Sequence, residues 1–414
     1  MPPRYSTVAV IGSGPAGISA LKALHDERAF ATIKAFERRD SPGGTWNYVR
    51  LPSVDATMPT AMCSWLDTNV PAELMVFTHT PFPDANSPIS TERYGVGNAT
   101  RPYHVVARYL LDLVVKFRGS ILLNTTAEEY DAVIIATGQY NVSFLPKITG
   151  LDEVVKSHPE ALEHVNAFRS PDDYAGKKVV VIQGSFSAGD AVGDIYTLVQ
   201  GPLYVSQSSH SPYITEIWKL PNVELKPTIS HIEGRDSRLK LTFSDGSELE
   251  DVDKVIFATG YRLSFPFLTA EPMLIADRPP GIYQHVFKIG DPSLAAIGLV
   301  RAPLLFRMIE YEAVAVARYY AGRGGELPSQ EDQERWETEQ VKVKGDGYKF
   351  HDATGEMKEH MEFMRNLAGT PTAGTDAYEL PQIADEWLEK CFSVFRLKDE
   401  YWGRVRRREA EARK

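Results

Sequence analysis

The sequence predicts an α/β fold built on two parallel sheets, and three observations predict it. Five short aliphatic runs, Val8 to Ile11, Ile33 to Phe36, Val133 to Ile135, Val179 to Ile182 and Val255 to Phe257, show little alternation, as strands buried on both faces do. Two of these runs enter a turn rich in glycine or serine that opens an apolar helical segment, the strand–loop–helix grammar of such folds. Between Leu239 and Lys254, by contrast, "LKLTFSDGSELEDVDK" alternates around Asp245-Gly246, which marks an antiparallel hairpin. Further along, Ile309 to Tyr320 has helical spacing, and a charged stretch from about Gly324 precedes helices predicted around Met357 to Leu367 and Ile383 to Phe395.

Length and charge bound the rest. A chain of 414 residues corresponds to two or three domains at ~100–200 residues each. Its 43% hydrophobic and 24% charged residues are those of an ordinary globular protein. With Lys+Arg 45 against Asp+Glu 55 and a net charge of −10, a nucleic-acid binder is not expected. The basic cluster Arg404 to Arg408 runs on into Glu409 and Glu411 and is expected to be a solvated helix end. The only cysteines, Cys63 and Cys391, form no C-x-x-C pair, so no disulfide scaffold, cysteine metal cluster or redox dithiol is expected, and a reduced, cytoplasmic setting is. "MPPRYSTVAVIG" enters a strand at once, so no signal peptide is expected. Without a run of ~18 apolar residues, no membrane span is expected either.

The first turn has the form of a dinucleotide loop. "TVAVIG" leads into Gly12-Ser13-Gly14-Pro15-Ala16-Gly17 and the apolar helix "ISALKAL". Gly12 permits the tight turn, Gly14 lets the backbone approach a pyrophosphate, and Gly17 lets helix and strand pack closely while the helix N-terminus faces the anion. Glu37 ends the next strand, "TIKAFERR", where a carboxylate accepts hydrogen bonds from a ribose with free hydroxyls, as in FAD or NAD.

The segment "ERRDSPGGTW" extends this pattern: Glu37 followed by Gly43-Gly44-Thr45-Trp46 resembles the flavin-containing monooxygenase (FMO) family of class B flavoprotein monooxygenases. In order behind it come "LDTNVPAELMVF", "VIIATGQY", "VVVIQGSFSAGDAV", "VIFATGY" and "LAAIGLV", so the resemblance covers about residues 5 to 325. It implies two Rossmann-like dinucleotide-binding domains, for FAD and NADPH, the second inserted in the first. It also implies that the flavin takes a hydride from NADPH and forms with O2 a hydroperoxide at carbon 4a, which passes one oxygen atom to nitrogen or sulfur of a small organic substrate. In such chemistry the cofactor reacts, and the protein orients it and excludes water. The resemblance assigns cofactor contacts to Arg38, Gly44, Thr45, Trp46, Thr68, Thr137, Gly138 and Leu299. Asn69, in "DTNVP", matches the family's asparagine beside flavin and nicotinamide, where an amide donates to the peroxide or the nicotinamide ribose without titrating; by its local sequence alone, a turn or cap residue before Pro71 is the other reading.

The chain departs from the family in three places. "HPEALEHVNAF" keeps His164 and Phe168 of the fingerprint but has His158 and Glu160 where Phe and Gly are usual; His164 reads either as a satisfied hydrogen-bonder or as a residue placing NADP⁺. Almost no chain separates "ILLNTTAEE" from "YDAVIIATG", where relatives insert strands. In the second loop Gln183, Ser185 and Ala188 stand at the three glycine positions, with Ser187, Gly189 and Asp190 around them. The hydroxyls of Ser185 and Ser187 and the helix amides are expected to hold the NADPH pyrophosphate. The following strand, "PLYVSQSSH", offers Ser206, Ser208 and His210 but no arginine to a 2′-phosphate. Thr259 and Gly260 close this half beside the dinucleotide, and Arg262 follows either as a phosphate contact or as a surface residue.

Together these expectations give an FAD domain over 1–170 and 262–414, including a C-terminal helical extension, and an NADPH domain over 175–258. The substrate lining is expected from Trp46, Asn69, Leu299, Arg301 and Phe306. The expected partners are O2 and a small-molecule substrate, with neither nucleic acid nor membrane; a homodimer is compatible. The rivals are a Baeyer–Villiger enzyme or uncoupled NADPH oxidase, a disulfide oxidoreductase disfavoured by the missing dithiol, and a non-catalytic flavoprotein.

Overall fold

The computed structural model describes residues 2–47, 65–123, 129–140, 142–265, 267–268 and 278–412, without the side chain of His210. Cys63 and residues 124–128, within the shortened segment before Tyr130, lie outside the described residues. The chain begins with β1 (Thr7–Ile11), α1 (Pro15–Glu27) and β2 (Thr32–Glu37), then α2 (Pro88–Tyr94), α3 (Tyr103–Val114), β3 (Ile121–Leu123) and β4 (Ala132–Ile135). Next come β5 (Val142–Ser143), α4 (Leu151–Ser157), β6 (Leu162–His164), β7 (Val179–Gly184), α5 (Phe186–Ile195), β8 (Leu203–His210) and β9 (Val223–Lys226). A meander follows, β10 (Ile229–Arg235), β11 (Arg238–Phe243) and β12 (Glu248–Val252), before β13 (Lys254–Phe257) and β14 (Tyr261–Arg262). The remainder is β15 (Ile282–Tyr283), β16 (Phe287–Lys288), β17 (Leu294–Ala296), α6 (Leu305–Tyr320), α7 (Gln330–Lys344), α8 (Met357–Ala368), α9 (Asp385–Glu389) and α10 (Ser393–Ala412).

These strands form two main sheets. The first has the order β15-β16-β17-β4-β1-β2-β3, and the second β6-β13-β7-β8-β9. All five strands expected from aliphatic runs are present, and in each sheet their pairings are parallel. The hairpin turns at Gly246 (φ 83°), where Asp245 accepts the Ser247 amide at 3.0 Å. Helices α1, α6 and α8 pack with the first sheet in one core, while α5 lies on the second sheet in another. The tail does not all follow the first sheet: Val405, Tyr401 and Trp402 of α10 belong to the second core, and a Cβ at Gly193 of α5 would lie 2.3 Å from the Trp402 ring. The basic cluster is correspondingly only partly solvated, since Val405 is buried and Arg406 pairs with Glu216 at 2.8 Å.

Candidate functional site

The first loop is built tightly. Gly12 turns at φ 102°, and a Cβ there would lie 2.7 Å from the Ala136 carbonyl oxygen. A Cβ on Gly17 would stand 1.9 Å from the Gly12 oxygen, so the helix rides directly on the turn. Ser13 donates its amide and hydroxyl to Glu37 Oε2, both at 2.8 Å, and Glu37 Oε1 accepts the Arg39 amide at 2.9 Å. Glu37 therefore braces the loop, leaving further carboxylate lone pairs for a ribose. Gly14 caps α1 without any side-chain hydrogen bond, Pro15 and Ala16 open the helix, and no acid stands in its first turn. An uncapped helix N-terminus with nearby amides is a donor set suited to a pyrophosphate, so the residues present fit FAD. Gly44, Thr45 and Trp46 form a 3-10 turn against this loop, and a Cβ on Gly44 (φ 60°) would lie 2.8 Å from the Gly14 Cα. Arg38 beside it is exposed.

The second loop has the same register with other side chains. Gln183 adopts φ 88°, the conformation Gly12 has in the first loop, and its side chain is exposed. Ser185 occupies the cap position, Ala188 is fully buried where helix meets strand, and a Cβ on Gly189 would touch Ile214 at 3.5 Å. The Ser185 hydroxyl accepts the Ala188 amide at 3.4 Å and donates to the Ala258 carbonyl at 3.2 Å. This corrects the expectation for that hydroxyl: it closes its own helix end and ties it to the next loop.

A cleft of about 360 Å³ opens at the carboxyl ends of both sheets, lined by the second loop and by no residue of the first; open α/β sheets bind ligands at such ends. Of the expected residues, Asn69, Ser185, Ser187, Thr259, Gly260, Leu299 and Arg301 line it. Gln139, Tyr140 and Tyr261, from the motifs "VIIATGQY" and "VIFATGY", also line it, as do Tyr348 and His351, which had no local signal. Thr137 and Gly138 (φ 73°) precede Gln139, whose amide donates to the Gly298 carbonyl at 2.8 Å and so joins the two loops of the first sheet. Arg301 stacks on Tyr348, 3.2 Å from guanidinium carbon to ring centroid, placing a cation and an aromatic face together. Buried Thr68, beside Asn69, accepts the Arg101 amide at 3.0 Å. His164 Nε2 reaches the Gly260 carbonyl at 3.1 Å while Nδ1 accepts from the Asn166 amide at 3.3 Å. That pairing fixes a neutral tautomer; burial lowers the pKa in the same direction, and the hydrogen-bonding reading of His164 is the one the geometry carries.

Three expectations are corrected. Phe306 is buried, stacked on Phe77 at 5.5 Å and edge-on to Trp46 at 6.1 Å; both aromatics pack in the first core and neither lines the cleft. Ser206 is buried and donates to the Pro227 carbonyl at 2.8 Å, so its hydroxyl serves the strand and leaves no face to a phosphate. Ser208 is exposed, but with Ser206 turned inward the expected three-residue pocket loses its centre, and the His210 side chain lies outside the described residues.

Behind Asn69 stands a polar cluster of which Asn69 and Asp190 were expected and Lys398 was not. Lys398 of α10 donates to Asn69 Oδ1 and lies 3.7 Å from an Asp190 carboxylate oxygen. Asp67 and Tyr94 also face it electrostatically, as does Arg93. A signal existed: on α10, Val394, Phe395 and Val405 are buried with Tyr401 and Trp402 half-buried, and Lys398 falls on that same apolar arc at i+4 from Val394.

Comparison with known proteins agrees with this architecture. A family model described as flavin-binding monooxygenase-like matches residues 219–380, and one described as pyridine nucleotide-disulphide oxidoreductase matches residues 104–285. The chain is 30% identical to the flavin-containing monooxygenase FMO GS-OX-like 7 of Arabidopsis thaliana over 368 residues, 80% of this chain and 77% of that one. It is 26% identical to a thiol-specific monooxygenase of Saccharomyces cerevisiae over 348 residues, 76% of each chain. The S-allyl-L-cysteine S-oxygenase of Allium sativum shares the fold with a TM-score of 0.74 at 22% identity, covering 96% of this chain and 94% of that one.

Proposed function

The chain belongs to the flavin-containing monooxygenase family, and on that premise we infer that the cleft between its two sheets is where FAD, NADPH and substrate meet. The enzyme is an FAD- and NADPH-dependent monooxygenase that places one oxygen atom of O2 on nitrogen or sulfur of a small molecule. When bound, FAD supplies the redox and oxygen chemistry. The protein's part is to bind, orient and exclude water. In this reading the uncapped start of α1, from Gly12 to Gly17, holds the FAD pyrophosphate, and Glu37 the ribose. The second loop, with Ser187 and the α5 amides, holds NADPH beside Thr259 and Gly260. Asn69 presents its amide to the cofactors, and Arg301, Tyr348 and Leu299 face the substrate.

The observation that carries the proposal is the cleft itself, lined at once by Asn69, by the second loop and by Leu299 and Arg301 of the first half. Residues 1–170 with most of 262–414, and residues 175–258, are the corresponding domains. The test is oxidation of a thioether and a tertiary amine by the FAD-loaded protein with NADPH under air, scored as product per NADPH. Product from either is expected; hydrogen peroxide alone with every nucleophile, or lactone from a cyclic ketone, overturns the reading. Among the described residues no helix is long and apolar enough to cross a membrane. A cytoplasmic location and a homodimer belong to the same proposal, and cell fractionation and sedimentation of the holoenzyme test them.

A further inference from the structure

Lys398 is a lysine where α10 calls for an apolar residue. Its side chain is 9% exposed, it donates to Asn69 Oδ1, and it stands 3.7 Å from Asp190, itself half-exposed on α5. Burial by itself would lower the pKa of such an ammonium; Asp190, Tyr94 and Asp67 outweigh it, and the net shift is upward, so the group is a cation at neutral pH. A buried cation is costly unless paired, and these partners are drawn from three separate parts of the chain, the Asp67–Asn69 segment, the end of α2 and α5 behind the second loop.

An asparagine amide has a donor end and an acceptor end that differ little in shape. An ammonium has only donors, so whichever oxygen it meets is fixed as Oδ1. The Asn69 oxygen is thereby taken, its Nδ2 donates to no protein group among the described residues, and the residue lines the cleft. We propose that Lys398 is a positioning residue: it holds the Asn69 amide with its donor end turned to the cleft and ties that orientation to the α5 helix through Asp190. The proposal rests on the reading that Asn69 serves the cofactors, and it makes α10 part of the site.

A double-mutant cycle on NADP⁺ binding tests it, followed as the change in flavin absorbance when the FAD-loaded enzyme is titrated. Lys398→Met and Asn69→Ala are each expected to weaken NADP⁺ about tenfold, the worth of one well-placed hydrogen bond. The double variant is expected to be no weaker than Asn69→Ala, because a residue acting through Asn69 has nothing left to act on. Additive losses would assign Lys398 a direct electrostatic or purely architectural effect and overturn the proposal, as would unchanged binding in Lys398→Met. If Lys398→Met does not retain FAD, Lys398→Arg carries the cycle, since its planar fork keeps the charge but not the geometry. The titration needs no turnover, so a non-additive cycle in an enzyme that oxygenates nothing would retain this proposal while ending the functional one. An Asn69→Ala variant that binds NADP⁺ normally ends the role of Asn69 and this proposal with it.

Discussion

The two nucleotide loops trace one backbone with different side chains. Gly12 and Gln183 both turn at positive φ, 102° and 88°, and Gly14 and Ser185 both cap their helices in an extended conformation. The first loop meets this path with three glycines, and the second with glutamine, serine and alanine. What decides where glycine is obligatory is the distance from helix to turn. At Gly17 an added methyl would lie 1.9 Å from the Gly12 oxygen; at the matching point of the second loop the methyl of Ala188 is simply buried. A glutamine at positive φ costs ~1–2 kcal/mol in backbone strain, a cost the rest of the fold absorbs.

The largest expected effect tests the obligatory contact. Gly17→Ala should lose FAD, measured as flavin absorbance per chain, and at least about 3 kcal/mol of stability, because the strand-to-helix turn must open. Ala188→Gly, its mirror, should keep FAD and cost only ~1 kcal/mol through helix propensity. Equal effects at both positions would erase the distinction drawn between the loops.

Next in size is a titration on α5, since burial raises the Asp26 carboxyl of α1 too but Lys22 opposes it there. Burial pushes the Asp194 carboxyl up to about 6, against the opposing help of Trp65 and Arg93, whereas Glu27 of the first helix is paired by Arg318 at 3.0 Å and Arg323 at 3.1 Å. A carboxyl whose folded pKa exceeds its unfolded value near 3.9 binds protons preferentially in the folded state. Its contribution to stability is therefore greatest in acid, falls by about 2 kcal/mol as pH rises from about 4 to about 6, and is flat above. Asp194→Asn should flatten that slope in urea unfolding at pH 4.5 and 7; an unchanged slope would assign it elsewhere.

The smaller effects sharpen the comparison at single atoms. Ser185→Ala should cost about 1 kcal/mol of unfolding free energy, and Ser185→Gly, which rebuilds the first loop's cap, only a few tenths. Gln183→Gly should raise stability by about 0.5 kcal/mol, since relief of the left-handed strain is partly offset by the freer unfolded chain. Calorimetric melting of the pair resolves both, and a destabilised Gln183→Gly would mean that the glutamine side chain holds something in place.

Much of the architecture was legible because its signals are local. Aliphatic runs without alternation gave buried parallel strands, Asp245-Gly246 gave the hairpin, and alignment of Gln183, Ser185 and Ala188 on the strand end gave the loop register that the structure has. The site was legible only in part. "GLVRAPLLF" contains both Arg301, which reaches the cleft, and Phe306, which turns into the core, and an apolar run does not state which side it faces. Ser206 faces Pro227 because a later segment covers the strand, a long-range fact. Tyr348 and His351 arrive from the tail by tertiary packing alone. Lys398 could have been found, since a lysine in the middle of an apolar helical arc breaks the pattern around it.

The position of α10 in the chain also orders events in time. Both sheets precede it, so during synthesis each can pair its strands while Lys398 and its neighbours are still to be made. At ~5–20 residues per second, the 20 residues of α10 take about 1–4 s to add. During that interval Phe186 lacks the Phe395 ring that later stacks on it at 4.1 Å, and Asn69 lacks the Lys398 ammonium. The Asn69 amide therefore gains its lysine partner only when α10 docks, after the strands of both sheets have been made.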